Sequence, residues 1–275
     1  MDWLDALILG IVQGLAEYLP ISSSGHLVIF REILGLKLQG DDALQFDVIL
    51  HAATVLSTIV VLWPMFRNLC KSFFTFKRDD DFWYVVKILV SCIPIAIVGF
   101  CFKDLVENLF TGNLTIVGIC LFATACLLSF AYFSDRRRDG KMKTAQAGRD
   151  ITFADALTIG VAQAVAVLPG LSRSGTTIAT GILIGDKRDK VASFSFLMVI
   201  IPILGEALLD LKDIISPDAG AAASEVPAVC LLIGFVAAFL VGCAACRWML
   251  NLVKKGQLIW FAVYCLIMSV VCLVW

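Results

Sequence analysis

Long apolar runs, broken by short polar clusters, set the pattern of this chain. They lie at roughly 4–19, 21–36, 46–66, 83–102 and 112–133, then at 153–168, 171–185, 191–211, 227–246 and 258–275. A helix needs about 20 apolar residues to cross a bilayer. The runs at 46–66, 83–102, 112–133, 191–211, 227–246 and 258–275 meet that need and predict membrane-spanning helices. The pairs 4–36 and 153–185 are each split by a Pro/Gly/Ser cluster, "PISSSGH" in one and "PGLSRSGT" in the other. Each pair predicts a re-entrant hairpin, two half-helices that enter and leave by the same face. Irregular backbone at that depth is tolerated only where protein or a watery cavity surrounds it.

The same order of elements occurs twice. "DALILGIVQ" at 5–13 is echoed by "DALTIGVAQ" at 155–163, an offset of 150 residues. At that offset Ser22, Ser24 and Gly25 match Ser172, Ser174 and Gly175, Gly35 matches Gly185 and Phe46 matches Phe196. The chain therefore divides into repeat 1 (1–133), a basic linker (134–150) and repeat 2 (151–275). Each repeat holds one hairpin and three spanning helices. Loops 67–82, 134–150, 186–190 and 247–257 hold sixteen of the 22 Lys and Arg, whereas the opposite loops hold Lys37, Lys103 and Lys212. The positive-inside rule puts the basic loops in the cytoplasm and both termini outside. Repeat 1 then starts outside and repeat 2 inside, so the repeats are inverted, a common plan in membrane folds. The expected fold is an all-α polytopic membrane protein of two inverted repeats.

Composition supports this class. Of 275 residues 60% are hydrophobic and 16% charged, and the mean hydropathy is +0.90. Soluble domains carry about 25% charged residues. The opening "MDWLDALILG" lacks the basic start and small-residue cleavage site of a secretory signal, so the first segment is expected to be retained. A net charge of −1, with no broad basic face, gives no reason to expect a nucleic-acid partner. Ten scattered cysteines read as small apolar residues, the pair Cys243 and Cys246 included.

The polar hairpin tips carry the candidate chemistry. Inverted-repeat folds place their sites at the repeat interface near mid-membrane, and ionisable residues at that depth usually serve function. Arg173 offers a planar fork of donors suited to phosphate. Ser172, Ser174, Thr176 and Thr177 add hydroxyls, and each tip lies near a helix N-terminus, where free N–H groups attract anions. Gly25, Gly170 and Gly175 allow close backbone approach. The ligand implied is an anion, with phosphate the leading candidate. Gln13 and Glu17 share a helix face. Glu17 near an anion site suits a divalent cation bridging to phosphate, or a base. His26 suits a base for a serine, or a nucleophile. Plainer readings stand beside these. Ser22 and Ser24 also fit close helix packing, and Arg173 could simply pair with Glu17. His51 reads as structural, Glu206 as packing or interfacial, and Arg136–Arg138 and Asp79–Asp81 as solvated loops.

"GLAEYLPISSSGH" and "LPGLSRSGTT" resemble the two signature motifs of the bacterial undecaprenyl-diphosphate phosphatases, the bacitracin-resistance family. The likeness extends to "FSFLMVIIP" at 194–202 and "WFAVY" at 260–264. It implies a bacterial inner-membrane enzyme that removes the terminal phosphate of undecaprenyl diphosphate. That reaction recycles the lipid carrier for peptidoglycan synthesis and confers bacitracin resistance. Its partners are that lipid substrate and membrane lipids, with a homodimer left open. The family is associated with a divalent cation, Mg²⁺ or Ca²⁺, and a site open to the periplasm. Gln13 and Glu17 match its Glu/Gln-x-x-x-Glu pair. Gln13 leaves one carboxylate where many members have two, and metal ligation would fall to Glu17 and Gln13. Ser22, Ser23, Gly25 and His26 match the first serine run, and Ser24 replaces the commoner Thr. Ser172, Arg173, Ser174, Gly175 and Thr177 match the second motif. The expected catalytic set is Glu17, Ser23, His26 and Arg173. The expected phosphate-binding set is Ser22, Ser24, Gly25, Ser172, Ser174, Gly175 and Thr177. Ser23, His26 and water stay open as nucleophiles. The rival reading is a polyprenyl-phosphate flippase or transporter, which the same architecture would serve; a channel leaves the tip residues unexplained.

Overall fold

A computed structural model describes residues 1–36, 41–101, 114–142, 148–205 and 226–274. Glu206, the linker residue Lys143 and the opposite-loop residues Lys37, Lys103 and Lys212 fall outside them. The first hairpin is α1 (Trp3–Ala16) and α2 (Ser23–Ile33). After it come α3 (Asp41–Val61), α4 (Trp63–Phe74), α5 (Asp80–Cys101) and α6 (Leu114–Met142). The second hairpin is α7 (Phe153–Val165) and α8 (Arg173–Ile184). It is followed by α9 (Arg188–Met198), a further helical piece over 200–205, α10 (Ala228–Lys254) and α11 (Ile259–Val274). Among the described residues there is no strand, only an isolated bridge between Arg149 and Asp186.

Among the described residues four helices are long and apolar enough to cross a membrane: Asp42–Val61, Asp80–Cys101, Leu114–Arg138 and Ala228–Lys254. Their outer faces carry large apolar side chains such as Ile97, Phe122, Phe130, Leu232 and Leu240, all exposed. So much contiguous apolar surface belongs against lipid rather than water. The chain is an all-α polytopic membrane protein. The hairpin helices have 14, 11, 13 and 12 residues. At about 1.5 Å per residue each falls well short of the roughly 30 Å hydrocarbon core.

The repeated sequence has a local physical cause. Asp5 and Asp155 occupy the same position in the two copies, and each closes a capping box. Asp5 accepts from the backbone N–H of Asp2 at 2.9 Å and Asp155 from that of Thr152 at 2.9 Å. These boxes satisfy N–H groups that a helix start leaves open. Gly10 and Gly160 are matched as well. A methyl on Gly10 would lie 2.5 Å from the Gly234 carbonyl oxygen of α10, and one on Gly160 would fall on the Ser91 carbonyl of α5. Each glycine lets its hairpin helix press onto a long helix of the other half of the chain. α1 packs mainly on α10, and α7 mainly on α5. α6 and α11 pack along each other, and α6 also touches both α2 and α8.

Two stretches expected to be loops are partly helical. α4 carries helix through Phe74, into the basic segment 67–82, and α6 runs on through Arg136–Arg138. Apolar periodicity gave no sign of this, because both stretches mix charged and aromatic residues. Nor are their charges all solvated. Asp79 accepts from the Phe82 N–H at 3.0 Å and from Ser72, closing the start of α5. Arg138 donates from Nη2 to the Ile182 carbonyl at 2.8 Å and so caps the end of α8. All ten cysteines are free; Cys101 and Cys126 are exposed on the outer faces of α5 and α6.

One end of the bundle is tied by charge. Arg188 Nε donates to Asp135 Oδ2 at 2.6 Å, joining α9 to α6. Arg149 Nη2 donates to Asp155 Oδ1 at 2.6 Å, and its Nε lies 3.8 Å from Asp186 Oδ1. Asp186, in the turn after α8, is buried, and its oxygens carry no hydrogen bond. Burial, and then the like charge of Asp155, push its pKa up to about 6, against the pull of Arg149 and Arg138. The unfolded value is about 3.9. A carboxyl with a raised folded pKa binds its proton more tightly when folded, so it favours the fold at low pH and this gain is lost as pH rises through about 6. Asp186→Asn should therefore melt above the wild type at about pH 8, the gap should narrow as pH falls below about 6, and the two should converge only below about pH 4. Thermal unfolding of purified protein in detergent checks this.

Candidate active site

The two hairpin tips touch. A methyl on Gly25 would lie 3.1 Å from the Gly170 Cα and 3.2 Å from Val117 of α6, and one on Gly175 would lie 3.0 Å from the Pro20 Cβ. Ser174 Oγ donates to the Leu19 carbonyl at 3.2 Å, joining tip to tip. Both tips use their first matched serine the same way. Ser22 Oγ accepts from the Gly25 N–H at 3.3 Å, and Ser172 Oγ from the Gly175 N–H at 3.1 Å. These N-caps start α2 and α8.

Glu17 is the centre of the constellation. It follows the last residue of α1, and its side chain is 8% exposed. Its Oε2 accepts from Ser23 Oγ at 2.8 Å and from Gln13 Nε2 at 3.1 Å. His51 Nε2 of α3 stands 3.8 Å from the same oxygen, and His51 Nδ1 lies 2.9 Å from the Asp47 carbonyl, to which it donates. Arg173 is the first residue of α8. Glu17, Arg173, Ser174 and Thr177 line one small cavity with Thr54, Thr58 and Ser195. The cavity holds about 360 Å³ of space, open mouth included.

Neighbouring residues hold Glu17 in place. Tyr18 is buried and donates to the Thr54 carbonyl at 2.6 Å; its hydroxyl also meets those of Ser57 and Thr58. Its ring stands edge-on to Phe196 of α9, with centroids 5.3 Å apart. Thr124 of α6 accepts from the Ser172 N–H at 3.1 Å and fixes the second tip. Thr177 donates back to the Arg173 carbonyl at 3.0 Å, within the first turn of α8.

The expected residues divide into groups. Ser23 meets Glu17, and both share the tip region with Arg173 and Ser174. Ser22, Ser24, Gly25, Ser172 and Gly175 shape the tips and, like Ser23, do not line the cavity. Ser24 approaches only Ser22 (3.4 Å), and Ser174 approaches Ser172 (3.5 Å). His26 is buried but turned away from Ser23. Its Nδ1 lies 2.8 Å from the Ser22 carbonyl and its Nε2 2.7 Å from the Tyr264 hydroxyl of α11. The carboxylate, not the imidazole, is brought to the serine. His51, which its sequence setting marks as structural, lies beside Glu17. Tyr18, Thr124 and Tyr264 were not singled out. Tyr18 directly follows Glu17 in "AEYLP", a polar-tipped ring in an apolar run, and that was the available signal.

Over its length the chain matches the bacitracin resistance protein BacA family, across residues 6–271. The chain belongs to this family. An undecaprenyl-diphosphatase of Bacteroides fragilis is 52% identical over 274 residues, which cover all of this chain and 98% of that protein. One from Bacteroides thetaiotaomicron is 52% identical over 267 residues, 97% of this chain and 96% of that protein. One from the more distant Methanosphaera stadtmanae is 36% identical over 289 residues, covering all of this chain and 98% of that protein. Membership of the BacA family thus rests on the whole length, both tips and the long helices included.

The donor set bears on the expected divalent cation. Among the described residues no three His, Cys, Asp or Glu converge to form a cage. Glu17 is the one carboxylate between the tips, and Gln13 Oε1 beside it is buried without a hydrogen-bond partner. One carboxylate and one amide oxygen fit a cation that takes its other ligands from phosphate, as Mg²⁺ commonly does.

Glu17→Gln keeps the shape but removes the acceptor charge facing Ser23. It should lower kcat by about 10²- to 10⁴-fold while leaving the folded protein intact. Phosphate-release kinetics beside a size-exclusion profile checks both halves.

Proposed function

We infer that this chain is an undecaprenyl-diphosphatase, hydrolysing undecaprenyl diphosphate to undecaprenyl phosphate and inorganic phosphate. The reaction recycles the lipid carrier of cell-wall synthesis, and with it comes resistance to bacitracin. One observation carries the chemistry: Ser23 Oγ donates to Glu17 Oε2 at 2.8 Å where the tip bearing Arg173 meets the tip bearing Ser23. A serine paired with a buried carboxylate is a nucleophile with its base. An arginine across a small cavity is a clamp for phosphate oxygens.

The steps follow from these positions. Arg173 holds non-bridging oxygens of the terminal phosphate, with hydroxyls of Ser174 and Thr177 beside it. Ser23 Oγ attacks the terminal phosphorus and passes its proton to Glu17. The bond from that phosphorus to the bridging oxygen breaks, and undecaprenyl phosphate leaves with the electron pair. Glu17 passes that proton to the leaving phosphate, and the freed carboxylate takes a proton from the water that attacks the phosphorus. The bond from phosphorus to Ser23 Oγ then breaks, inorganic phosphate leaves, and Glu17 returns the proton to Ser23. Charge growing on the equatorial and leaving oxygens is met by fixed donors, where such catalysis gains most. Glu17 and Gln13 would hold a Mg²⁺ or Ca²⁺ arriving with the diphosphate, and its chemistry would be to neutralise phosphate charge.

The polyprenyl tail stays in lipid along the exposed apolar faces of the helices. The protein sits in the bacterial inner membrane with its site open to the periplasm. Sixteen of 22 basic residues in four loops support that orientation. The crossed packing of α1 on α10 and α7 on α5 is what two inverted repeats would produce. Domain bounds of 1–133 and 151–275 around the linker agree with this exchange of partners.

A flippase would share this architecture but has no need of the differences between the tips. Glu17 and His26 of the first repeat are matched by Val167 and Thr176 of the second, and Arg173 by Ser23. That division puts a base on one side and a phosphate clamp on the other. Purified protein should release phosphate from undecaprenyl diphosphate in detergent, with no gradient across a membrane, and lose that activity to a chelator. Arg173→Ala should cut the rate at least about a hundredfold, while Lys143→Ala in the linker should not change it. Near-normal turnover in Arg173→Ala would remove the mechanism.

A further inference from the structure

The tips differ in backbone as well as in side chains. Ser22 has φ 71 and ψ 102, in a region that side-chain-bearing residues rarely adopt. Its counterpart Ser172 is relaxed, at φ −67 and ψ 115. Such a conformation is strained and persists only where the surroundings hold it. Its effect is local: the chain reverses after Ile21, and the next residue, Ser23, comes back onto Glu17.

The group that holds Ser22 is in view. The Ser22 carbonyl accepts twice from His26, from the backbone N–H at 3.1 Å and from Nδ1 at 2.8 Å. A carbonyl can only accept, so Nδ1 carries the proton. In the neutral ring Nε2 is then an acceptor, and the Tyr264 hydroxyl donates to it at 2.7 Å. The two rings also stack, 19° from parallel with centroids 5.6 Å apart. His26 is 2% exposed and Tyr264 37%, so the phenol covers the imidazole from outside. α11 is pinned in register just beyond this contact. Cys265 Sγ donates to the Pro20 carbonyl at 3.4 Å, and Ser269 Oγ to the Gly118 carbonyl of α6 at 2.7 Å. In the second tip, where the backbone is relaxed, Thr176 stands at the matched position. Its backbone N–H reaches the Ser172 carbonyl at 2.8 Å, while its hydroxyl oxygen is buried and unpaired. The imidazole brace exists in the tip that is strained.

We propose that Tyr264 and His26 form a brace that holds the strained Ser22 backbone and so aims Ser23 at Glu17. Both are positioning residues that act through Ser22; neither touches the phosphate. This rests on the hydrolase reading above, with Ser23 as the attacking group.

A double-mutant cycle tests it. Tyr264→Phe keeps the ring and its stacking but removes the hydroxyl. It should lower kcat about ten- to a hundredfold with KM little changed. Ser22→Gly adopts a positive φ without strain and needs no brace. In that background Tyr264→Phe should cost less than about threefold, a strong coupling between the two sites. A full loss in the glycine background, or wild-type kcat in Tyr264→Phe alone, overturns the brace. The second readout needs no turnover. The chain has two histidines, so in His51→Gln protein the ¹⁵N signals of the neutral ring belong to His26. They should report an Nδ1–H tautomer whose Nε2 signal shifts on Tyr264→Phe. An Nε2–H tautomer, or no shift, overturns the proposal. A wild type that releases no phosphate would sink the hydrolase reading alone, and the ring signals would still decide the brace.

Discussion

The contact between the two hairpin tips governs everything else in the molecule. Four short helices end in backbone that could not be buried in lipid by itself. Each tip resolves this by resting on the other. Gly25 meets Gly170, Gly175 meets Pro20, and Ser174 donates to a carbonyl of the facing tip. The long helices then act as walls. Gly10 and Gly160 let them close to backbone distance, and the polar groups at the centre are left to pair with one another. Charge can be kept there because it is hydrogen-bonded: Glu17 takes two hydrogen bonds, and Arg173 lines the same cavity.

Much of this was legible in the sequence, because it is written in local patterns. The offset of 150 residues exposed the two copies, and the matched residues have the same local duties. Asp5 and Asp155 close capping boxes, Gly10 and Gly160 admit a neighbour, and Ser22 and Ser172 start a half-helix. The approach of Glu17, Ser23 and Arg173 was also foreseeable, since short polar clusters in apolar runs have few places to go. What stayed hidden depends on long-range partners. Tyr18 reaches across to Thr54 and Thr58, Thr124 to Ser172, and His26 to Tyr264, 238 positions further along. No periodicity in one stretch can report such a meeting. The same is true of His51, whose apolar setting in "ILHAAT" suggested packing until α3 brought it to Glu17. The helical continuation of α4 and α6 was missed for a different reason: charged residues interrupt the apolar signal without breaking a helix.

Duplication supplied the scaffold, and divergence at a few positions supplied the chemistry. The N-cap serines are retained in both tips, because each half-helix needs a start. The following residue is free to differ, and it is Ser23 in one tip and Arg173 in the other. The strained Ser22 and relaxed Ser172 extend that difference into the backbone. A symmetric pair would have offered two clamps or two nucleophiles. The asymmetric pair offers one hydroxyl and one guanidinium: Ser23 donates to Glu17, and Arg173 lines the cavity that Glu17 also lines.

The long helix α6 gives this arrangement a mechanical character. Near one end Val117 fills the space between Gly25 and Gly170, and Thr124 holds the second tip two turns further along. Near the other end Asp135 and Arg138 grip Arg188 and the end of α8. A helix is stiff along its axis, so it behaves as a shared keel. It cannot slide or turn to suit one hairpin without shifting its neighbour by the same amount. The spacing between the two tips is thereby a property of one rod rather than of two separate loops.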